Sequence, residues 1–353
     1  MSVGVNLYSR SDMSSINILK KLIFVAGVLL IISCGNETPK ATVLKGNAFG
    51  TTYTIQYFSK NVFYAEKGID SVIHRVNRSV STYMPNSDIS KINKGDSTLV
   101  VDAIFKEVYR ISEIVYNKSK GFFDPTIGVL RNAYGFGDVK PLKQIDSSTL
   151  DSLLQYVGFK KVMITAEGTV KKKYPQIYFD FNAVAKGYGI DLMGTYLESE
   201  GISNYIIELG GEILAKGTNL KEGKYWIAGI EAVDSKLEDR SYTATVVLKD
   251  KGMASSGNYR KFRVDDITGK KYVHIINPHT GRAEQSDVTS ATVIASTCAL
   301  ADAYATAFMA MGFENTKQLL SELPQIEAYL THTKGNNETQ VFVTSGFKDL
   351  LVE

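Results

Sequence analysis

The sequence predicts an α+β fold, a mixed α/β chain packed as one unit of two lobes. Three observations carry this. Segments that alternate apolar with polar residues and are rich in β-branched and aromatic types recur along the chain. Stretches with apolar residues three and four apart lie between them. The two kinds follow one another without the regular strand–helix–strand alternation of a doubly wound sheet. With 353 residues, 44% of them apolar and 22% charged, the chain has the balance of a protein that buries a sizeable core.

In order, Thr51 to Phe58 alternate and read as a strand. Residues 64–78 place Ile69, Val72, Ile73 and Val76 on one helix face, and residues 102–119 do the same with Ile104, Val108, Ile111 and Val115. A third helix is expected over 147–156, strands at 161–165 and 176–181, and a helix over 183–199 that stops before Gly201. The segments Tyr205–Glu208, Glu212–Ala215, Tyr225–Ile230 and Thr243–Leu248 are β-like, as are 272–277 and 288–295. An Ala-rich helix covers 297–311, with Gly312 suited to its C′ position. A helix at 314–322 and strands at 326–332 and 339–344 complete the chain, around a polar turn at Lys334–Asn337. The small-residue run Gly252–Tyr259 is expected to be a loop that lets backbone approach a ligand. No Pro/Ser-rich linker cuts the chain.

The N-terminus has its own pattern. Lys20-Lys21 precede twelve apolar or small residues, Leu22 to Ser33, and Cys34 follows at once. Twelve helical residues cover about 18 Å, short of a hydrocarbon core about 30 Å thick. A basic region followed by a short apolar one reads as a secretory signal. Leu30-Ile31-Ile32-Ser33-Cys34 resembles a lipobox, in which Cys34 becomes the lipidated first residue; a plain signal peptide or an uncleaved anchor is the alternative. The expected plan is a lipoprotein signal peptide over 1–33, a polar tether over 34–45 and the folded unit over 46–353. The expected product is exported and membrane-anchored through its N-terminal lipid. It would face the periplasm or the outer side of the cytoplasmic membrane. Cys34 and Cys298 are the two cysteines, so lipidation of Cys34 leaves no intramolecular disulfide. A net charge of +3, with no basic run longer than Lys171-Lys172-Lys173, argues against a nucleic-acid partner.

Several residues could carry chemistry, and each has a plainer reading. Asp302 and Thr306 are four apart in the Ala-rich helix and share a face. A carboxylate and a hydroxyl one turn apart suit a hard cation such as Mg²⁺; the plainer reading is a polar edge on a buried helix. In Tyr178-Phe179-Asp180-Phe181-Asn182-Ala183-Val184-Ala185-Lys186-Gly187 a strand runs into a helix. Its N–H groups favour phosphate, and Lys186 would add charge; alternatively Asp180 or Asn182 only caps the helix. His274, on a segment ending at Pro278 and Gly281, could act as an acid or base, or be structural. Tyr83, in the turn Ser81–Asp88, and Phe122 and Phe123, in Gly121–Thr126, could stack on a planar ring or belong to the core. Gly210-Gly211 lacks the spacing and strand–helix context of a dinucleotide loop.

The order of these motifs resembles the ApbE family of flavin transferases, often made as exported lipoproteins. The matching motifs are Phe49-Gly50-Thr51-Thr52-Tyr53, Ser81-Thr82-Tyr83, Gly121-Phe122-Phe123-Asp124-Pro125, Asp180–Gly187, Glu208-Leu209-Gly210-Gly211, Ser256-Gly257-Asn258-Tyr259, His274–Gly281 and Ala301–Thr306, spread from Gly46 to the end. The resemblance implies the α+β architecture of that family. It implies Mg²⁺ held by Asp302, Thr306 and the carbonyl of Ala183. It further implies an FAD pocket of Phe49, Tyr83, Phe122, Phe123, Asp124, Asp180, Lys186 and Ile276. Phe49 stands where the family often has Met, and Asn277 where it often has Asp. The implied reaction converts FAD and a threonine of an exported or membrane-bound redox protein into FMN-threonyl protein and AMP. Asp302 would serve the metal, Lys186 the diphosphate charge, and His274 the incoming hydroxyl. The alternatives are a Mg²⁺-dependent FAD pyrophosphatase and a non-catalytic flavin-binding lipoprotein. One segment, Asp287-Val288-Thr289-Ser290-Ala291-Thr292, resembles the family's acceptor context except at Ser290; the plainer reading, a strand feeding the Asp302 helix, is preferred.

Overall fold

The computed structural model describes residues 38–231, 241–257, 262–264, 271–335 and 338–352. The signal segment, Cys34, Asn258 and Tyr259 lie outside these. From the N-terminus, β1 (Lys40–Ala48) and β2 (Thr51–Ser59) meet at the Phe49-Gly50 turn. Helices α1 (Glu66–Val80), α2 (Asp88–Asn93), α3 (Ala103–Lys118), α4 (Gly128–Tyr134) and α5 (Ser147–Leu154) follow, then the short pair β3 (Val162–Ile164) and β4 (Val170–Lys172). Next come α6 (Ala185–Ser199), β5 (Tyr205–Leu209), β6 (Glu212–Lys216), β7 (Thr218–Asn219), β8 (Lys224–Glu231), β9 (Tyr242–Leu248) and β10 (Lys251–Gly257). The chain continues through β11 (Phe262–Val264), β12 (Lys271–Val273), β13 (Val288–Ala295), α7 (Cys298–Met311), α8 (Phe313–Glu322), β14 (Glu327–Lys334), β15 (Glu338–Val343) and α9 (Ser345–Lys348).

Among the described residues, eight strands form one sheet in the order β1-β2-β5-β6-β10-β13-β14-β15. Because side chains alternate across a strand, both faces can be apolar. Ile207 and Leu209 of β5, Ala254 of β10, Val293 of β13 and Leu330 of β14 face a core shared with α1, α3, α6 and α7. Ile213 of β6, Met253, Ile294 and Tyr329 face the other way. There they meet Trp226, Ala228, Ile230, Val246 and Leu248 of the three-stranded sheet β7-β8-β9, and Phe347 of α9. Each such fully buried side chain is worth about 1.5–3 kcal/mol relative to exposure. Residues 41–353 pack as one unit. The expected two-lobed division takes the form of two hydrophobic layers on opposite faces of one sheet.

Four segments differ from their expectation, one of them 272–277, whose strand stops at Val273. Lys40–Ala48, partly assigned to the tether, is strand β1, with Leu44 and Ala48 buried. Residues 176–181 make only an isolated bridge, Tyr178 to Ile127. The Phe179 main chain is taken by the Asn93 side chain instead, which donates to its carbonyl at 2.9 Å and accepts from its N–H at 2.7 Å. The expected loop from Gly252 is β10, paired with β6 on one side and β13 on the other. Its small residues serve packing: a β-carbon at Gly252 would lie 2.3 Å from the Cys298 nitrogen. The N-terminus of α7 therefore rests directly on the sheet. No helix among the described residues is long and apolar enough to cross a membrane.

Candidate active site

A cavity of about 340 Å³ opens between the start of α6, the β5–β6 hairpin, β10, α7 and the segment after β12. Phe122, Phe123, Asp124, Asp180, Ala183, Lys186, His274, Ile276, Asp302 and Thr306 all line it. The residues expected from separate motifs are thus brought together, apart from two. Phe49 has a φ of 50° in the β1–β2 turn. It lays its ring against Gly189 of α6, where a β-carbon would come within 2.5 Å of it. Tyr83 is 62% exposed, and its hydroxyl bears on the guanidinium of Arg131, itself a cavity residue.

Arg131 was not apparent from the sequence. It sits on α4, pairs with the Asp180 carboxylate, and donates to the Phe136 carbonyl at 2.8 Å. The other Asp180 oxygen accepts from the Asn182 N–H at 2.8 Å, which shapes the turn leading to α6. Asp124 is likewise occupied. Its carboxylate accepts from the Thr126 N–H (2.8 Å) and hydroxyl (2.6 Å) and from the Phe159 N–H (3.1 Å). Burial pushes its carboxyl up, against these bonds. Its part is to hold the Phe122-Phe123 loop in place. The Phe122 ring stands edge-on to His279, with centroids 4.6 Å apart.

The charged centre is buried. Lys186, in the first turn of α6, closes on Glu212 with Nζ 2.5 Å from Oε1. Glu212 is the first residue of β6, directly after the turn of the β5–β6 hairpin. That tight turn uses Gly210 and Gly211 at φ of 61° and 105°, values that favour glycine. Both glycines line the cavity, a role that spacing alone did not suggest. Asp302 accepts the Gly187 N–H through Oδ2 at 3.2 Å. Burial raises the Asp302 carboxyl and pushes Glu212 up to about 7, while Lys186 pulls both back. Burial works against the Lys186 ammonium, but the two carboxylates outweigh it and raise its pKa.

Another carboxylate fixes the two helices to each other. Asp191 of α6 accepts the N–H groups of Cys298 (2.8 Å) and Ala299 (2.9 Å), two of the unpaired donors that open α7. The Thr297 side chain accepts a third, from Leu300. This clasp sets Lys186 and Asp302 at a fixed separation. Asp191→Ala should cost about 2 kcal/mol by leaving those N–H groups unpaired. The urea midpoint checks this, and an unchanged midpoint would show the clasp to be dispensable.

The centre fits a divalent cation. One ammonium and two carboxylates, Lys186, Glu212 and Asp302, leave a net negative charge when ionised. Glu212 Oε2 is buried with no hydrogen-bond partner, and such an orphaned acceptor calls for positive charge nearby. Asp302 and Thr306 carry side-chain oxygens at the same cavity, which Ala183 also lines, and oxygen is the ligand type Mg²⁺ takes. No cluster of three His, Cys, Asp or Glu side chains suited to a metal occurs among the described residues.

Comparison with known proteins identifies the family. The ApbE family model matches residues 49–330. The chain belongs to the ApbE family. It is 33% identical over 348 residues to the FAD:protein FMN transferase of Haemophilus influenzae, covering 94% of this chain and 98% of that one. Its identity to the Vibrio cholerae FAD:protein FMN transferase is 34% over 343 residues, with the same coverage. Among solved structures, the flavin transferase ApbE from Vibrio cholerae superimposes with a TM-score of 0.78 at 30% identity, over 89% of this chain and all of that one. The Pseudomonas stutzeri flavinyl transferase ApbE in its apo form gives 0.76 at 25% identity, over 89% and 97%. The two hydrophobic layers and the cavity at the Ala-rich helix thus belong to an ApbE fold. The acceptor-like segment of this family member is strand β13. Its Thr292 is 3% exposed and its hydroxyl lies 2.8 Å from that of Ser255, inside the sheet.

Proposed function

We propose that the protein is a Mg²⁺-dependent transferase that moves FMN from FAD onto a threonine hydroxyl of an exported or membrane-bound redox protein, releasing AMP. The observation that carries this reading is the single cavity in which Asp302, Thr306, Ala183, Lys186 and His274 meet an aromatic and apolar wall of Phe122, Phe123 and Ile276. Phe122 and Phe123 supply faces and edges for a planar ring. Asp302, Thr306 and the Ala183 carbonyl would hold Mg²⁺. Bound there, the ion would neutralise charge on the diphosphate as its P–O bond breaks.

The protein's own residues supply the rest. Arg131 fixes Asp180, and Asp180 shapes the turn that presents Asn182 and Ala183 to the cavity. His274 takes the proton of the incoming threonine hydroxyl as its oxygen bonds to the FMN phosphorus. The phosphoanhydride bond then breaks and AMP leaves with the bridging oxygen. The N-terminal pattern ending at Cys34 supports a lipoprotein held at the membrane surface, which would raise its concentration near membrane-bound acceptors.

The test is incubation with FAD, Mg²⁺ and an exported redox subunit carrying an acceptor threonine, followed by a denaturing gel. Flavin fluorescence on the partner band is the expected result. Free FMN and AMP with an unlabelled partner would replace transfer by FAD hydrolysis.

A further inference from the structure

We infer that Glu212 is a positioning residue of the cation site: it takes up the Lys186 ammonium and so leaves the Asp302 carboxylate free for a divalent cation. The inference rests on the reading of Asp302 as a cation ligand. Lys186 immediately precedes Gly187, whose N–H donates to Asp302, so its flexible stem rises within the field of both carboxylates. The ammonium nevertheless closes on Glu212 Oε1 at 2.5 Å. A buried ammonium seeks a partner, because a charge out of water without one is costly. If Lys186 paired with Asp302, an incoming cation would have to displace that internal pair.

Glu212 is well placed to prevent this. It follows the two-glycine turn, and its main chain is locked opposite Leu209 in the β5–β6 ladder. Its side chain is therefore held by the sheet, while Asp302 is held by α7. With Oε1 on the ammonium, the unpartnered and buried Oε2 adds negative potential to the same cavity wall. Glu212 thus acts on the cation through Lys186, a second-layer role of the kind whose loss weakens metal affinity about 10–100-fold.

The experiment is a titration of the full-length protein with Mn²⁺, following free Mn²⁺ by electron paramagnetic resonance with no flavin present. Wild-type protein should bind Mn²⁺, and Asp302→Ala should not. Glu212→Gln should bind at least about tenfold more weakly, because Lys186 then turns to Asp302. The double variant Lys186→Met with Glu212→Gln should return to within about threefold of wild type, since the competing ammonium is gone. A role of Glu212 in folding alone predicts no such rescue. Wild-type affinity in Glu212→Gln, or weak binding that Lys186→Met does not restore, overturns the inference. Wild-type Mn²⁺ binding insensitive to Asp302→Ala, or absent, overturns the cation reading itself and the inference with it.

Discussion

Asp302→Ala is expected to abolish flavin transfer, a loss of at least about a thousandfold in kcat, while the protein remains folded. The magnitude follows from the several kcal/mol that a metal contributes to a phosphoryl-transfer transition state, at 1.36 kcal/mol per decade. Retention of the fold follows from electrostatics. Burial disfavours the Asp302 charge while Lys186 and the Gly187 N–H favour it, and Asp302 in turn repels the Glu212 carboxylate. Among the described residues its hydrogen-bond donor is the Gly187 N–H, at 3.2 Å. Removing it relieves repulsion at the cost of that bond and a small void, so the denaturation midpoint should move little. Covalent flavin on the acceptor and thermal melting, measured on the same preparation, check both halves. Turnover within tenfold of wild type would remove Asp302 from the metal site.

The second large effect concerns stability. Arg131→Met should destabilise the protein by about 3–5 kcal/mol, the usual cost of breaking a buried ion pair from one side. The Arg131 side chain is 17% exposed and that of Asp180 is 7% exposed, so water cannot stand in for the lost guanidinium. The Phe136 carbonyl loses its donor as well. Replacing both partners, Arg131→Met with Asp180→Asn, should recover most of the loss, because an amide needs no counter-charge. Urea unfolding of the four proteins gives the coupling directly. Equal losses in the single and double variants would show that the pair contributes nothing beyond packing.

These two sites also mark where the sequence could be read and where it could not. Asp302 and Thr306 share an Ala-rich helix that is buried nearly all round, so their common face followed from the four-residue spacing, and the matched motifs supplied their role. The elements α1 and α3 were legible from apolar residues spaced three and four apart. Strand β10 was not, because glycine, alanine and serine carry little strand preference. What places them in a strand is the close approach of α7, a tertiary demand. Arg131 and Asp180 are 49 residues apart, and Asp191 caps a helix 107 residues away. No local pattern records such meetings. Glu212 falls between these cases: it adjoins the matched motif Glu208-Leu209-Gly210-Gly211, but only the fold brings it to Lys186.

The Asp191 clasp has a consequence for how this centre tolerates change. Asp191 grips α7 by main-chain N–H groups alone, so it is indifferent to which side chains follow Thr297. Gly252 and Gly187 likewise meet the backbone of Cys298 and Ala299 rather than the thiol. The alignment of the two helices is thereby insulated from the chemistry of Cys298. That position can drift to other small residues while the spacing between ammonium and carboxylate stays fixed.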